Sequence, residues 1–229
     1  IVASRPIFHT LPYYPFYEEI DVDFVYYSGF SKIQKQKSLN SLQSNYIFKF
    51  KNRKIIDIST KSTSDLGVKL SAFNLKVKYK NNYFFVECLF QGSKTFKNGG
   101  PYRDLLSKNP KDAKRDKRLK ESGELIHFNY FDMIFPLEPK DYFYNWLYIN
   151  SLYRNPGLAK RILEYDSFSD IEFNPKRSVN CQARAVAIFV GLSKSKKLEE
   201  AMKSKESFFK VVYGEKHHNK VEQLNIFKM

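Results

Sequence analysis

Cysteine is scarce in this chain, which has only Cys88 and Cys181 among its 229 residues. The two lie far apart, each in an apolar context, so the sequence has neither a disulfide framework nor the spacing of metal ligands. Long apolar runs are also missing, since none approaches the roughly 18 residues of a transmembrane helix. The first residues lack the charged and then apolar order of a signal peptide. We therefore expect a cytoplasmic protein with buried thiols, no metal, no cofactor and no membrane contact.

Acidic residues are few relative to basic ones, with 24 Asp and Glu against 39 Lys and Arg, a net charge of +15. A surface of this charge attracts polyanions: nucleic acid first, then phosphate-rich small molecules, then anionic membranes. Residues 32–53 contain six basic side chains and no acidic one, and residues 107–120 contain seven basic and two acidic ones. Each stretch is either a solvated surface or a face that contacts nucleic acid.

The apolar patterns predict one α+β domain with a helical core, a small antiparallel sheet and β-hairpins. The helix expected over 138–153 is apolar almost all round, and its Trp146 is either a core residue or a stacking platform. The other predicted segments are an extended arm over 1–20, strands over 21–27, 46–50, 54–59 and 124–135, a hairpin of 75–80 with 83–86, a helix over 181–192, and a charged helix with a tail over 193–229.

Residues 83–96 place a few polar side chains within apolar sequence. On a helix, Glu87, Gln91 and Lys94 stand at positions i, i+4 and i+7, so a carboxylate, an amide and an amine would share one face. Burial of a Glu and a Lys costs free energy unless the two are paired, hydrogen-bonded or used. The pattern predicts either a structural ion pair or a reactive site.

A second candidate site is the turn Gly99-Gly100-Pro101. It leaves backbone N–H groups free just before a helix that would have Pro101 at its first position. Such a helix start can hold a phosphate, with Arg103 in reach. An ordinary loop is the alternative.

The helix predicted over 181–192 carries polar residues at its start. Asn180 is expected to be its N-cap, and Gln182 and Arg184 fall in its first turns. An arginine on an apolar helix needs a carboxylate partner or an anionic ligand. Asp170 or Glu172 would be that partner.

Four motifs follow one another along the chain. They are Leu70-Ser71-Ala72-Phe73, then Val86-Glu87 with Phe90-Gln91-Gly92-Ser93-Lys94, then Asn155-Pro156-Gly157-Leu158, and finally Asp170-Ile171-Glu172. Their order resembles the NADAR (YbiA-like) family, whose pattern is L-S-N-F, V-E-x-x-F-Q-A-x-K, N-P-x-L and an acidic stretch. The resemblance covers residues 67–192 as a family core, with a basic extension over 1–66 and a C-terminal helix and tail over 193–229. The family's later Trp-containing motif is replaced here by F-N-P-K-R-S-V-N-C-Q-A-R.

The basic extension and the motifs G-G-P-Y-R-D-L-L and N-C-Q-A-R resemble the NADAR antitoxins of DarT–DarG-type toxin–antitoxin systems. This resemblance implies an ADP-ribosyl glycohydrolase that cleaves the N-glycosidic bond between ADP-ribose and guanine in DNA. Its ligands would be ADP-ribosylated DNA and ADP-ribose, and an ADP-ribosyltransferase toxin would be its partner.

For such a reaction, Lys94 would attack ribose C1 and form a Schiff base, or would hold the pyrophosphate as a cation. Glu87 would transfer the proton, and Asp170 would bind ribose hydroxyls or share the acid–base work. The further ligand-binding residues expected are Ser71, Phe73, Gln91, Gly99, Gly100, Tyr102, Arg103, Trp146, Glu172, Asn180, Gln182 and Arg184.

Two other functions fit the same sequence. One is an N-glycosidase acting on a small ribosylamino-pyrimidine metabolite, a role ascribed to some members of the family. The other is a non-enzymatic basic module that binds nucleic acid or a toxin through residues 32–54 and 107–120.

Overall fold

The computed structural model describes residues 1–214, so the tail predicted beyond them lies outside the described residues. The strands are β1 (Val2–Thr10), β2 (Tyr17–Val25), β3 (Ile55–Asp57), β4 (Lys76–Tyr79), β5 (Asn82–Phe85), β6 (Lys94–Phe96), β7 (Leu125–Tyr130), β8 (Met133–Phe135) and β9 (Ser167–Ser169). The α-helices are α1 (Lys32–Lys49), α2 (Asp65–Leu70), α3 (Val86–Gly92), α4 (Pro110–Arg115), α5 (Arg118–Glu121), α6 (Tyr142–Tyr153), α7 (Pro156–Ile162), α8 (Gln182–Lys194), α9 (Leu198–Ala201) and α10 (Lys205–Tyr213).

The helical core predicted from the sequence is confirmed. Helix α6 is buried along Tyr142–Leu152 because its residues are apolar or aromatic on every side, and it packs against α8. The hydroxyl of Tyr148 donates to the backbone oxygen of Leu70 at 2.5 Å, which ties α6 to the end of α2. The fold is α+β, with the small sheets arranged around this core.

Four strands form a mixed sheet in the order β2-β1-β9-β3. β1 pairs antiparallel with β2 along its whole length, and antiparallel with β9 on its other edge. β3 runs parallel to β9, with Ile56 opposite Phe168. The sheet therefore joins the first 25 residues to a strand that lies about 150 positions later in the chain, with Phe8 opposite Phe168.

Two predictions in the N-terminal region were wrong. The arm expected over 1–20 is the β1–β2 hairpin, since Ile7, Phe8 and Val22 are buried in the packed sheet. The strand expected over 46–50 is the last turn of α1. Leu39, Leu42 and Tyr46 give α1 one apolar side that packs on β1 and β2, and this helical spacing prevails over the local alternation.

The hairpin predicted around Asn81-Asn82 is confirmed as β4 with β5, and Lys76 pairs with Phe85. The chain passes from β5 directly into α3, so this hairpin sets where Glu87 stands. The strand predicted over 124–135 is a second hairpin, β7 with β8, which turns at Phe131 and Asp132.

Trp146 is a core residue. Its ring lies 5.3 Å from that of Tyr130 and 4.9 Å from that of Phe135, and it does not line the cavity described below. The prediction that it binds ligand was wrong because the apolar surroundings of α6 close over it. Among residues 1–214, no helix is both long and apolar enough to cross a membrane.

Candidate functional site

One large cavity of about 1230 Å³ opens between α3, α4, the start of α8 and the loop over 170–180. Nine basic side chains and four acidic ones line it, so the cavity wall carries a net positive charge that favours an anionic ligand. The basic ones are Arg5, Lys35, Lys61, Lys94, Lys111, Lys114, Arg115, Lys140 and Arg177, and the acidic ones are Glu87, Glu138, Asp170 and Glu172.

Helix α3 brings a buried carboxylate and a buried amide to the cavity. Glu87 lies in the first turn of α3, where the positive end of the helix dipole favours a carboxylate. Its Oε1 accepts a hydrogen bond from Gln91 Nε2 at 2.8 Å and lies 3.9 Å from the ammonium of Lys114. Gln91 Oε1 is buried and has no hydrogen-bond partner in the described structure. An unpartnered buried acceptor at a cavity wall suits a ligand that donates a hydrogen bond.

Lys94 reaches the same cavity from a strand and not from the helix. Helix α3 ends at Gly92, where a Cβ would lie 2.4 Å from Leu106 Cδ1, so the glycine lets the chain pass close to that side chain. Lys94 then begins β6, opposite Phe128 of β7. The prediction of one helical face for Glu87, Gln91 and Lys94 was therefore wrong, although all three line the cavity.

Burial sets the protonation of Lys94. Desolvation lowers the pKa of its amine, and the positive charge of Lys114 lowers it further, while the negative charge of Glu87 acts in the opposite direction. The Nζ lies 5.0 Å from the centroid of the Phe90 ring. This amine therefore loses its proton at a lower pH than an ordinary lysine, which makes it a candidate nucleophile.

The loop after α2 joins the two helices that flank the cavity. The backbone N–H of Ala72 donates to Gln182 Oε1 at 2.8 Å, and its carbonyl accepts the N–H of Glu87 at 3.0 Å. Phe73 lines the cavity, with the Lys114 ammonium 5.0 Å from its ring centroid. Ser71 is buried below this loop and its Oγ accepts from Phe73 N, so it supports the wall and does not line the cavity.

Asp170 and Glu172 form the acidic part of the wall. Burial raises the pKa of Asp170 well above its ordinary range, and the charges of Asp57 and Glu172 add to the effect. Its Oδ1 accepts the backbone N–H of Glu172 at 3.0 Å. Glu172 in turn accepts from the Thr60 hydroxyl at 2.8 Å. A protonated Asp170 can donate a proton or a hydrogen bond to a bound sugar.

Asp57 stands behind this wall and was missed by the sequence reasoning. It is fully buried, and burial raises its pKa to about 7. It accepts hydrogen bonds from Ser59, Ser169 and the backbone of Ile171. The available signal was a single carboxylate within the apolar segment I-I-D-I at 55–58.

Asn180 and Gln182 line the cavity at the start of α8. Asn180 is not the N-cap that the sequence predicted, because the chain is still extended at Cys181, which is the N-cap and makes no side-chain capping bond. The Asn180 Oδ1 is buried without a hydrogen-bond partner in the described structure. Like Gln91, it presents an open acceptor at the cavity.

Arg184 does not contact the acidic wall, contrary to the prediction. Its guanidinium lies 3.6 Å from Glu19 and 3.5 Å from Asp141, and it donates to the backbone oxygen of Val179 at 2.9 Å. These groups lie on another side of α8 and pair with its two terminal nitrogens, while its Nε is buried without a hydrogen-bond partner in the described structure. Arg184 is not among the residues that line the cavity. Arg184 is a structural cation.

The turn at Gly99 and Gly100 lies away from the cavity as well. A Cβ on Gly100 would lie 2.4 Å from the backbone oxygen of Lys94, so this glycine permits the turn to pack on β6. Tyr102 hydrogen-bonds the hydroxyl of Ser122, and Arg103 donates to the Asn129 backbone oxygen at 2.9 Å and to its Oδ1 at 2.8 Å. Only a 3₁₀ segment, Arg103–Ser107, follows Tyr102. The residues predicted to hold a phosphate, Gly99, Gly100, Tyr102 and Arg103, therefore lie outside the cavity, and the side chains of Tyr102 and Arg103 are bonded to protein groups.

The basic stretch over 107–120 divides between two roles. Lys111, Lys114 and Arg115 of α4 line the cavity. Arg118 instead binds Asp116 at 2.8 Å and Asp104 at 2.6 Å in a surface ion-pair network. About half of the positive charge of this stretch therefore faces the cavity.

The N-terminal region supplies a wall that the sequence reasoning did not place. The cavity is lined by Arg5 of β1, by Tyr26 and Phe30 between β2 and α1, and by Lys35 of α1. They meet the family-like segments only because β1 pairs with β9, directly before Asp170. No local pattern in the sequence indicates this.

Comparison with known proteins agrees with the motif order. The model of a family described as the DarT1-associated NADAR antitoxin matches residues 3–222. The match extends to both sides of residues 67–192, from which the resemblance was drawn. No curated protein matches the chain.

Proposed function

Since the chain belongs to the family of DarT1-associated NADAR antitoxins, we propose that it is an ADP-ribosyl glycohydrolase which removes ADP-ribose from guanine in DNA. The observation that carries this proposal is the buried Lys94 amine, with its lowered pKa, in a positively charged cavity that also holds Glu87. A volume of about 1230 Å³ exceeds the roughly 300–1,000 Å³ of a typical small-ligand pocket, which suits a ligand as large as ADP-ribose with an attached nucleotide.

The proposed reaction begins with the neutral Lys94 amine. Its lone pair attacks ribose C1 as the C1–N bond to guanine breaks, and the bonding electrons leave with the guanine nitrogen. The Glu87 carboxylate accepts a proton from the attacking amine and passes it to the nitrogen of the departing guanine. The C1–O4′ bond of the ribose then breaks, the remaining amine proton passes to O4′, and C1 is left as an imine of Lys94. Water adds to the imine and releases the free amine and ADP-ribose.

The wall residues divide the remaining work in this proposal. The cations of α4, Lys111, Lys114 and Arg115, hold the pyrophosphate. Asp170 and Glu172 hydrogen-bond ribose hydroxyls, and the open acceptors of Gln91 and Asn180 take donors of the ligand. Phe73 offers a ring face next to Lys114 for the adenine.

The proposal predicts that Lys94→Ala and Glu87→Gln fold normally but lose release of ADP-ribose from modified DNA by at least about 100-fold. The measurement is turnover of an ADP-ribosylated oligonucleotide, with Lys69→Ala as a control because Lys69 pairs with Asp65 on the surface. Borohydride added during turnover should link ADP-ribose to the wild-type chain and not to Lys94→Ala. Wild-type turnover in Lys94→Ala would refute the proposal.

A non-enzymatic antitoxin is the second candidate, favoured by the net charge of +15. It would bind DNA or the toxin with a steep dependence on salt and would not need Glu87 or Lys94. A small-molecule N-glycosidase is distinguished by faster turnover of a free ribosylamino-pyrimidine than of the oligonucleotide.

A further inference from the structure

We propose that Phe30, at the rim of the cavity, stacks on a nucleobase that flanks the modified nucleotide of single-stranded DNA. We define the N-terminal rim as Arg5, Tyr26, Phe30 and Lys35, and infer that it holds the DNA strand outside the catalytic cavity. The inference rests on the proposed function, because it takes the substrate to be a polymer.

The exposure of Phe30 is the first observation. Its side chain is 98% exposed and yet it lines the cavity, so it projects at the entrance and packs on nothing. A large apolar side chain left in water contributes nothing to folding, whereas a base stacked on it would remove one face of the ring and one face of the base from solvent.

The backbone on both sides of Phe30 is fixed. Gly29 adopts φ +127°, a conformation that side-chain-bearing residues rarely take. Ser31 caps α1 by accepting the N–H of Gln34 at 3.2 Å. Phe30 therefore lies between a glycine turn and a helix start, which sets where its side chain leaves the backbone.

The other rim residues supply positive charge to the same cavity. The Lys35 ammonium lies 3.3 Å from the Tyr26 hydroxyl and 5.2 Å from the centroid of its ring. Arg5 donates to the backbone oxygen of Ser4, and its Nε is buried without a hydrogen-bond partner in the described structure. Cations beside an exposed aromatic ring are the arrangement by which proteins bind single-stranded nucleic acid, since phosphates meet the cations and bases stack on the rings.

The position of the rim fits a strand of DNA and not ADP-ribose alone. Glu87 belongs to α3 and Lys94 to β6, whereas the rim residues come from β1, the segment after β2, and α1. A modified guanine held at Lys94 therefore leaves its neighbouring nucleotides to be bound by other elements at the cavity entrance.

The test is binding of an unmodified single-stranded oligonucleotide, measured by fluorescence anisotropy. Base stacking on an aromatic side chain predicts that Phe30→Ala raises the Kd roughly tenfold and that Phe30→Trp retains binding. Phe48→Ala is the matched control, because Phe48 is 81% exposed but does not line the cavity. Unchanged binding in Phe30→Ala, or an equal loss in Phe48→Ala, would overturn the inference.

A second arm separates this inference from the proposed function. On an ADP-ribosylated oligonucleotide, Phe30→Ala should lower kcat/KM about tenfold, and on ADP-ribosylated deoxyguanosine alone it should have no effect. If the wild type acts on neither substrate, the proposed function fails while the rim is still judged by the binding arm. If Phe30→Ala instead weakens binding to the toxin and leaves oligonucleotide binding unchanged, the rim is a protein-binding surface and the inference fails.

Discussion

Asp57 holds the backbone of Ile171 in place: its Oδ2 accepts the Ile171 N–H at 2.9 Å. The same oxygen accepts from the Ser169 hydroxyl at 3.0 Å, and Oδ1 accepts from the Ser59 hydroxyl at 2.5 Å. Ile171 stands between Asp170 and Glu172, which both line the cavity. A buried carboxylate of β3 thus positions the acidic wall from behind.

The burial of Asp57 predicts how stability changes with pH. Its pKa rises from 3.8 to about 7 on folding because burial disfavours the charged form. Between these two values the folded chain binds more protons than the unfolded chain, so its free energy of unfolding falls as pH rises, by at most about 1.4 kcal/mol per pH unit for one proton. Asp57→Asn should reduce this decline because an amide does not titrate, and it should still fold because the amide oxygen can accept the Ile171 N–H. Urea unfolding of both proteins between pH 5 and pH 8 measures how the free energy of unfolding changes with pH.

The control for this prediction is Asp65→Asn, because Asp65 is an exposed carboxylate paired with Lys69. Its unfolding curve should follow the wild type at each pH. Asp57→Ala should lower stability by roughly 1–3 kcal/mol, since it leaves the buried N–H of Ile171 without an acceptor. An equal pH dependence in wild type and Asp57→Asn would contradict the burial argument.

The lowered pKa of Lys94 predicts the pH profile of the reaction. If the neutral amine attacks, kcat/KM rises with pH through the pKa of Lys94 and levels off below the pH at which an ordinary lysine loses its proton. The positive charge of Lys114 contributes to this lowered value. Lys114→Ala should therefore move the rise to higher pH, and the pH profile of single-turnover rates measures the shift.

Lys111→Ala provides the comparison, because Lys111 lines the cavity without being among the groups that shift the Lys94 pKa. It should weaken substrate binding and leave the midpoint of the profile in place. A rate that falls as pH rises through this range would show instead that Lys94 acts as a charged ligand of phosphate.

Packing between α8 and the β1–β2 turn predicts a stability effect at Gly191. A Cβ there would lie 2.6 Å from the backbone oxygen of Phe16 and 2.7 Å from that of Leu11. Gly191→Ala should lower the free energy of unfolding by roughly 1–3 kcal/mol through overpacking. Gly157→Ala in α7 has nothing within 4 Å of its new Cβ and should be neutral or stabilising by up to about 1 kcal/mol. Urea denaturation measures the free energy of unfolding of both variants. If Gly191→Ala were as stable as Gly157→Ala, the packing argument would be contradicted.

Local sequence was enough wherever a short segment decides its own structure. The turn signal at Asn81-Asn82 predicted the hairpin β4–β5, although the turn itself is Lys80-Asn81, since Tyr79 pairs with Asn82. The continuous apolar character of 142–152 predicted the buried helix α6. Local sequence was not enough for residues 46–50, where alternation suggested a strand but the chain forms the end of α1. It was not enough for Lys94 either, where helical spacing suggested a helix but the residue begins β6. The division of the chain at residues 66 and 192 stays a prediction.

The site shows the same distinction. Glu87, Gln91, Lys94, Phe73, Asp170, Glu172, Asn180 and Gln182 were predicted from sequence and line one cavity. The partners of Arg184 were not predictable, because Glu19 and Asp141 are distant in sequence and reach it only through the packing of α8. Asp57 was missed for a related reason, since a lone carboxylate in a strand does not show which loop it supports.

The sequence by itself determined the charge of the chain, its central helix, the β4–β5 hairpin and the order of motifs that defines its family. These features depend on composition and on contacts within a few residues. Only the tertiary structure decided that β1 lies beside β9, which brings the N-terminal rim to the same cavity as Lys94 and the acidic wall. Pairing between strands that far apart is set by the packing of the whole core, and no short stretch of sequence encodes it.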